Sequence, residues 1–190
     1  SMSQENISGL IIDFRSNGGG SLSEALELTG FFIDRGPIVQ TKDASGRVDI
    51  SYDPEPGIIY PGPLAVLVDR NSASASEIFA GAIQDYRRGI IVGEPTFGKG
   101  TVQNVVNLNN FIEDSDEDHG RLKTTIAQFF RVSGGSNQHK GVVPDIVFPT
   151  AEYSSDQGER CLFYTSYAAD DLLCGDLGVR RIRQQKIRTA

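Results

Sequence analysis

Two stretches of this chain share one layout, and that repetition limits what it can fold into. Residues 9–33, GLIIDFRSNGGGSLSEALELTGFFI, and residues 64–86, LAVLVDRNSASASEIFAGAIQDY, each begin with a short apolar run, pass through a polar turn and continue with helical periodicity. An uninterrupted apolar run of this length suits a strand buried on both faces, as in a parallel sheet covered by helices. In the first unit Leu22, Ala25, Leu26, Thr29, Phe32 and Ile33 share a helical face, and Ser21 with Glu24 has the spacing of a capping box. In the second, Ile78, Phe79, Ala82, Ile83 and Tyr86 share a face. Strand, turn, helix, twice over, predicts an α/β domain.

The remaining segments add β structure. Residues 37–60 read as short strands around turns at Ala44–Gly46 and Pro54–Gly57. IIVG (90–93), the run from Thr101 and KTTIAQFFRV (123–132) read as further strands. At 190 residues, one domain with a substantial core is expected, held by no disulfide framework, since Cys161 and Cys174 are the only cysteines. A net charge of −7 argues against nucleic acid or an anionic membrane as partner, although Arg180, Arg181, Arg183, Lys186 and Arg188 form a basic tail that reads as solvated. No run is long and apolar enough for a membrane helix, and the opening SMSQENIS (1–8) reads as a tag or linker remnant. Residues 9–150 form the domain, and 151–190 have no clear pattern beyond helical fragments such as DLLCGDLGVRRIRQQ.

GEPTFGKGTVQ (93–103) comes close to a phosphate-binding loop, with Gly93, Gly98 and Lys99 in place. The hydroxyl that should follow the lysine is Gly100, and β-branched residues follow where a helix should start. The segment instead reads as a glycine-rich turn between two strands. Of the eighteen basic residues, Lys99 is the one expected inside the protein, beside Phe97 and Val102. Burial there disfavours the ammonium and lets the amine accept a proton. Gln103, four residues on, is placed to orient the amine without adding charge.

Three serines crowd RNSASASEIF, and Ser74, with Glu77 three residues later, is the expected N-cap of the second helix. A serine between a buried strand and a helix start stands beside unpaired N–H groups and a positive helix end, which can stabilise an oxyanion. It needs a base. His119, in the acidic loop, and His139, in a glycine-rich stretch, both read as surface residues, so Lys99 is the candidate. A plain helix cap at Ser74 and a solvated lysine in a turn are the competing readings.

LVDRNSASASEIFAGAIQDY, GEPTFGKGTVQ and the upstream DFRSNGGGSL, with FFRVSGGSNQHKGVVPDIVFPT further on, resemble the catalytic core of the tail-specific, or carboxyl-terminal processing, serine proteases, particularly the periplasmic branch. The resemblance runs from about residue 9 to 150 and implies a crotonase-like fold with a Ser-Lys dyad. Ser74 would be the nucleophile, Lys99 the base and Gln103 its positioning partner, with backbone N–H groups of Gly19 or Gly20 and of Ala75 as the oxyanion hole. Asp85 occupies a position associated with activity, although a helix-surface acid is an equal reading. The implied substrates are proteins or peptides with apolar C-termini, in the periplasm or cell envelope, and a homo-oligomer stays open. No metal or cofactor is expected.

The chain departs from that family in showing no PDZ-type segment and fewer elements ahead of the first motif, so the isolated chain can hold the catalytic residues without cleaving. A non-catalytic peptide-binding or assembly module using the same cleft is the alternative. Two weaker patterns rank low: DSDEDHG lacks the closing glutamate of a calcium loop, and Gly18 and Gly20 lack the third glycine of a dinucleotide turn, where Ser23 stands.

Overall fold

In a computed structural model, residues 7–53, 55, 57–111, 118–149 and 158–159 are described. The elements run β1 (Leu10–Asp13), α1 (Leu22–Gly30), β2 (Pro37–Asp43), β3 (Val48–Tyr52), β4 (Leu64–Val68), α2 (Ala75–Asp85), β5 (Ile90–Gly93), β6 (Thr101–Asn107), a 3-10 turn (Leu108–Asn110), β7 (Arg121–Phe130) and β8 (Ile146–Val147). Two four-stranded sheets form among the described residues. One is parallel, in the order β1-β4-β5-β8, and the other antiparallel, in the order β3-β2-β7-β6. The two sequence units supply β1-α1 and β4-α2, and their strands lie side by side, Leu10 opposite Leu64. The expected α/β class holds.

α2 explains why its sequence is apolar almost all round. Phe79, Ala80 and Ile83 pack with Val66, Val68 and Ile91 of the parallel sheet, whereas Ile78 and Ala82 pack with Ile38, Val39 and Phe129 of the antiparallel one. A helix that contributes to two cores has no polar face to spare. Phe79 also meets Phe14 and Phe32 edge to face, with ring centroids 5.1 and 5.9 Å apart.

Three local expectations change. β1 is an edge strand, not one buried on both faces: it pairs with β4 alone among the described residues, and Ile11 is 67% exposed. α1 ends at Gly30, so Phe32 and Ile33 are buried just beyond the helix. The capping box at Ser21 does not form either. Ser21 is the N-cap, but its hydroxyl pairs with that of Ser23 at 2.7 Å, which leaves the helix N–H groups without it. Cys161, Cys174, most of the acidic loop, the basic tail and the helical fragments beyond residue 159 lie outside the described residues.

Candidate active site

Ser74 ends the turn after β4 and caps α2, as its spacing to Glu77 predicts. Its backbone is in the left-handed region, at φ 58° and ψ −114°, a conformation that costs a serine of the order of 1–3 kcal/mol and persists only where neighbours impose it. Those neighbours are identifiable. Ser72 Oγ donates to Phe14 O at 2.7 Å, Ala73 N–H donates to Asn17 O at 3.0 Å, and Ser76 Oγ donates to the same Asn17 O at 3.2 Å, so the turn is tied to the segment leaving β1. Ser72 and Ser76 are thereby spent on structure.

Glu77 joins this turn to the one that carries Lys99. Its carboxylate is fully buried and accepts four hydrogen bonds: Thr96 Oγ1 at 2.6 Å and Gly98 N–H at 2.8 Å on Oε1, Ser74 N–H at 2.8 Å and Lys99 N–H at 3.0 Å on Oε2. Because Ser74 and Lys99 donate to the same oxygen, their backbone nitrogens stand no farther apart than the sum of those two bonds, a gap a lysine's four-carbon stem can span. Burial pushes the Glu77 carboxyl above its ordinary range, and the bonds from Thr96, Gly98, Ser74 and Lys99 pull the other way. Sequence reasoning found Glu77 only as a capping partner. Thr96 carried no signal, since its link to Glu77 is made by the fold.

Lys99 is half-buried, in a turn that leads into β6 and not into a helix, which removes the phosphate-loop reading. Among the described residues no hydrogen bond joins Lys99 Nζ to Ser74 Oγ or to Gln103. Gln103 is exposed on β6, directly after a bulge at Val102. His139 is exposed and His119 half-buried, and the His139 backbone lies against the Lys99 turn, its N–H donating to Gly98 O at 2.8 Å.

The glycine turn lies against Ser74. A Cβ on Gly19 would stand 2.9 Å from Ser74 Cβ and 2.8 Å from Ala75 N, so only glycine fits there, and its φ of +94° also favours glycine. Gly19 N–H donates to Asn17 Oδ1 at 2.9 Å, which leaves Gly20 and Ala75 as the donors still open. At the start of α2 the N–H groups of Ser74, Ser76, Glu77 and Ile78 are all donated, whereas that of Ala75 makes no hydrogen bond among the described residues. Gly20 and Ala75 edge a cavity of about 140 Å³ whose apolar lining comes from Phe14, Ala25, Leu28 and Phe79.

Asp85, at the far end of α2, is not a free helix-surface acid. It holds Arg131, just beyond β7, in a two-pronged ion pair with bonds of 2.7 and 3.1 Å. The pair fastens the C-terminal end of the Ser74 helix to the antiparallel sheet.

Comparison with known proteins agrees with this architecture. The model of peptidase family S41 matches residues 1–148. The tail-specific protease of Haemophilus influenzae is 52% identical over 158 residues, covering 80% of this chain and 23% of that protein. The chloroplastic C-terminal processing peptidase of Tetradesmus obliquus is 36% identical, covering 90% of this chain and 35% of that one. The chain thus spans about a quarter to a third of the length of these relatives. Among solved structures, the photosystem II D1 C-terminal processing protease superposes with a TM-score of 0.67 at 36% identity, over 77% of this chain and 36% of that chain. Mature CPAF, at 18% identity and a TM-score of 0.62, covers 94% of this chain and 46% of its own, and shares the fold. A family match over most of the chain and a relative 52% identical over 158 aligned residues lead to one assignment: the chain belongs to peptidase family S41.

Proposed function

We propose that this chain is the catalytic part of a serine endopeptidase that works through a Ser-Lys dyad and acts on C-terminal regions of proteins. Ser74 Oγ attacks the scissile carbonyl and passes its proton to Lys99 Nζ. Lys99 returns that proton to the leaving amine, and water then releases the acyl group. Gly20 and Ala75 N–H groups, with Gly19 once Asn17 lets it go, stabilise the oxyanion, and Gln103 orients the lysine when substrate is bound. The observation that carries the reading is the shared Glu77 oxygen, which holds a strained serine turn and a lysine turn to one point. The apolar cavity beside Ala75 supports a preference for small or apolar side chains at the cleavage point, and apolar substrate tails extend that preference. The periplasm or cell envelope is the location that goes with this activity.

One observation favours the second reading, a peptide-binding module without turnover: Gly19 N–H is occupied by Asn17 and so is not offered to a substrate carbonyl. Labelling by a serine-directed phosphonate separates the two. Covalent labelling of the protein that carries this chain, lost in both Ser74→Ala and Lys99→Ala, supports the protease. Absence of labelling from pH 6 to about 10, through the range in which a lysine amine deprotonates, supports the module.

A further inference from the structure

The turn that carries Lys99 has its backbone almost fully accounted for, and the bookkeeping singles out one side chain. Thr96 N–H donates to Val142 O at 3.2 Å and Phe97 N–H to Ser72 O at 3.0 Å. Gly98 and Lys99 N–H go to Glu77. Gly98 O accepts from His139 N–H at 2.8 Å, Gly100 O accepts from Phe129 N–H at 2.9 Å, and Phe97 O accepts from Glu159 N–H at 2.9 Å. The remaining amide, Gly100 N–H, donates to Gln138 Oε1 at 2.6 Å. Lys99 therefore stands between two side-chain clamps, Glu77 on its own N–H and Gln138 on the next.

The Gln138 amide is itself oriented. Its Nε2 donates to Glu159 Oε1 at 3.3 Å. A carboxylate can only accept and a backbone N–H can only donate, so turning the amide over would oppose like groups at both ends. Packing adds to the constraint. A Cβ on Gly100 would come within 2.8 Å of Gln138 N and 2.9 Å of Gln138 Cβ, so the turn and residue 138 already touch. A Cβ on Gly158 would lie 3.0 Å from Phe97 O, which brings the segment carrying Glu159 onto the same turn.

From this we infer that Gln138 is a positioning residue for Lys99, and that Glu159 sets the Gln138 amide in the one orientation that holds the Gly100 N–H. This rests on the dyad proposed above. Gln138 touches no reacting atom. It limits where the Lys99 stem can begin, and so how well the amine meets the Ser74 hydroxyl and how far it is kept from solvent.

The test uses the full-length protein that contains this chain and a peptide substrate. Gln138→Ala is expected to lower kcat about tenfold with KM within about twofold, since the loss is in alignment and not in binding. The acid limb of both kcat and phosphonate labelling is expected to move to higher pH, because a looser turn leaves the amine more solvated and more basic. Gln138→Glu keeps an acceptor for Gly100 but sets two carboxylates against each other, and should lose a similar amount. Combining it with Glu159→Gln restores one donor and one acceptor and should return kcat to within about threefold of the parent. That double exchange also covers the case in which Gln138→Ala fails to fold.

Unchanged kcat and an unmoved acid limb in a folded Gln138→Ala, with Lys99→Ala inactive, overturn the clamp and leave the dyad standing. Labelling that survives Lys99→Ala overturns the dyad and the clamp together. Loss of melting temperature without any shift in the pH profile reduces Gln138 to a structural role and also overturns the inference.

Discussion

The two glycine turns flanking Ser74 are built in opposite ways. At Gly98–Gly100 both glycines are hemmed in: a Cβ on Gly98 would lie 3.0 Å from His139 C, and the turn's amides all find partners in other parts of the chain. At Gly18–Gly20 only the middle residue is confined. Gly18 and Gly20 have nothing within 4 Å of an added Cβ, and the one amide bond made there, Gly19 to Asn17, stays within the turn. The side that would supply the base is fixed before anything binds, whereas the side that would supply oxyanion donors is left for a ligand to engage. Preorganisation costs nothing at the moment of reaction when it is built into the fold, but donors meant for a substrate must be free to meet it.

The sharpest way to break this contrast is to remove what fixes the lysine turn. Glu77→Ala leaves the N–H groups of Ser74, Gly98 and Lys99 and the Thr96 hydroxyl without their buried acceptor. A loss of at least about 3 kcal/mol in urea unfolding is expected, together with loss of phosphonate labelling at temperatures where the variant is still folded. A variant less than about 1 kcal/mol below the parent would mean that water replaces the carboxylate easily and that the turn is not held as described.

Next in size comes the steric half of the comparison. Gly98→Ala combines a φ of +89° with contact against the His139 backbone, and should cost about 2 kcal/mol. Gly18→Ala, in open space, should be neutral or slightly stabilising. Thermal melts of the two side by side check the ordering, and equal losses would erase the distinction between the turns.

How much of this was open to sequence reading depends on how local each feature is. The strand-turn-helix units, the N-cap role of Ser74 and the turn character around Lys99 follow from residues a few positions apart. The same S-x-x-E spacing succeeded at Ser74 and failed at Ser21, because the Ser21 hydroxyl found Ser23 while the Ser74 turn is braced by Phe14 and Asn17. Spacing proposes a cap, and the surroundings decide whether it forms. The edge position of β1 was illegible, since periodicity reports how apolar a strand is and not how many neighbours it has. The links from Glu77 to Thr96 and from Gln138 to Gly100 cross 19 and 38 residues, and no local pattern encodes them.

A subtler difference lies in amide exchange. Gly98, Lys99 and Gly100 N–H groups are bonded to Glu77 and Gln138 and should exchange at least about tenfold more slowly than those of Gly20 and Ala75. Adding a substrate-like peptide aldehyde should slow Gly20 and Ala75 while leaving the lysine turn unchanged. Slowing at both turns would mean that the base side, too, is assembled by the ligand.

The smallest effect concerns the charge on Glu77. Its folded-state pKa is raised above the ordinary 4.5, chiefly by burial, so its contribution to stability is full below that value and is lost as pH rises through the raised one. Glu77→Gln does not titrate and sets an amide NH₂ against some of the same donors. It should therefore be less stable than the parent throughout, by a margin that narrows between pH 4 and 8 in urea unfolding. A margin that widens instead would show that the four donors outweigh desolvation and hold an ordinary carboxylate. The sign bears on both turns at once, because Ser74 N–H and Lys99 N–H rest on the same Glu77 oxygen.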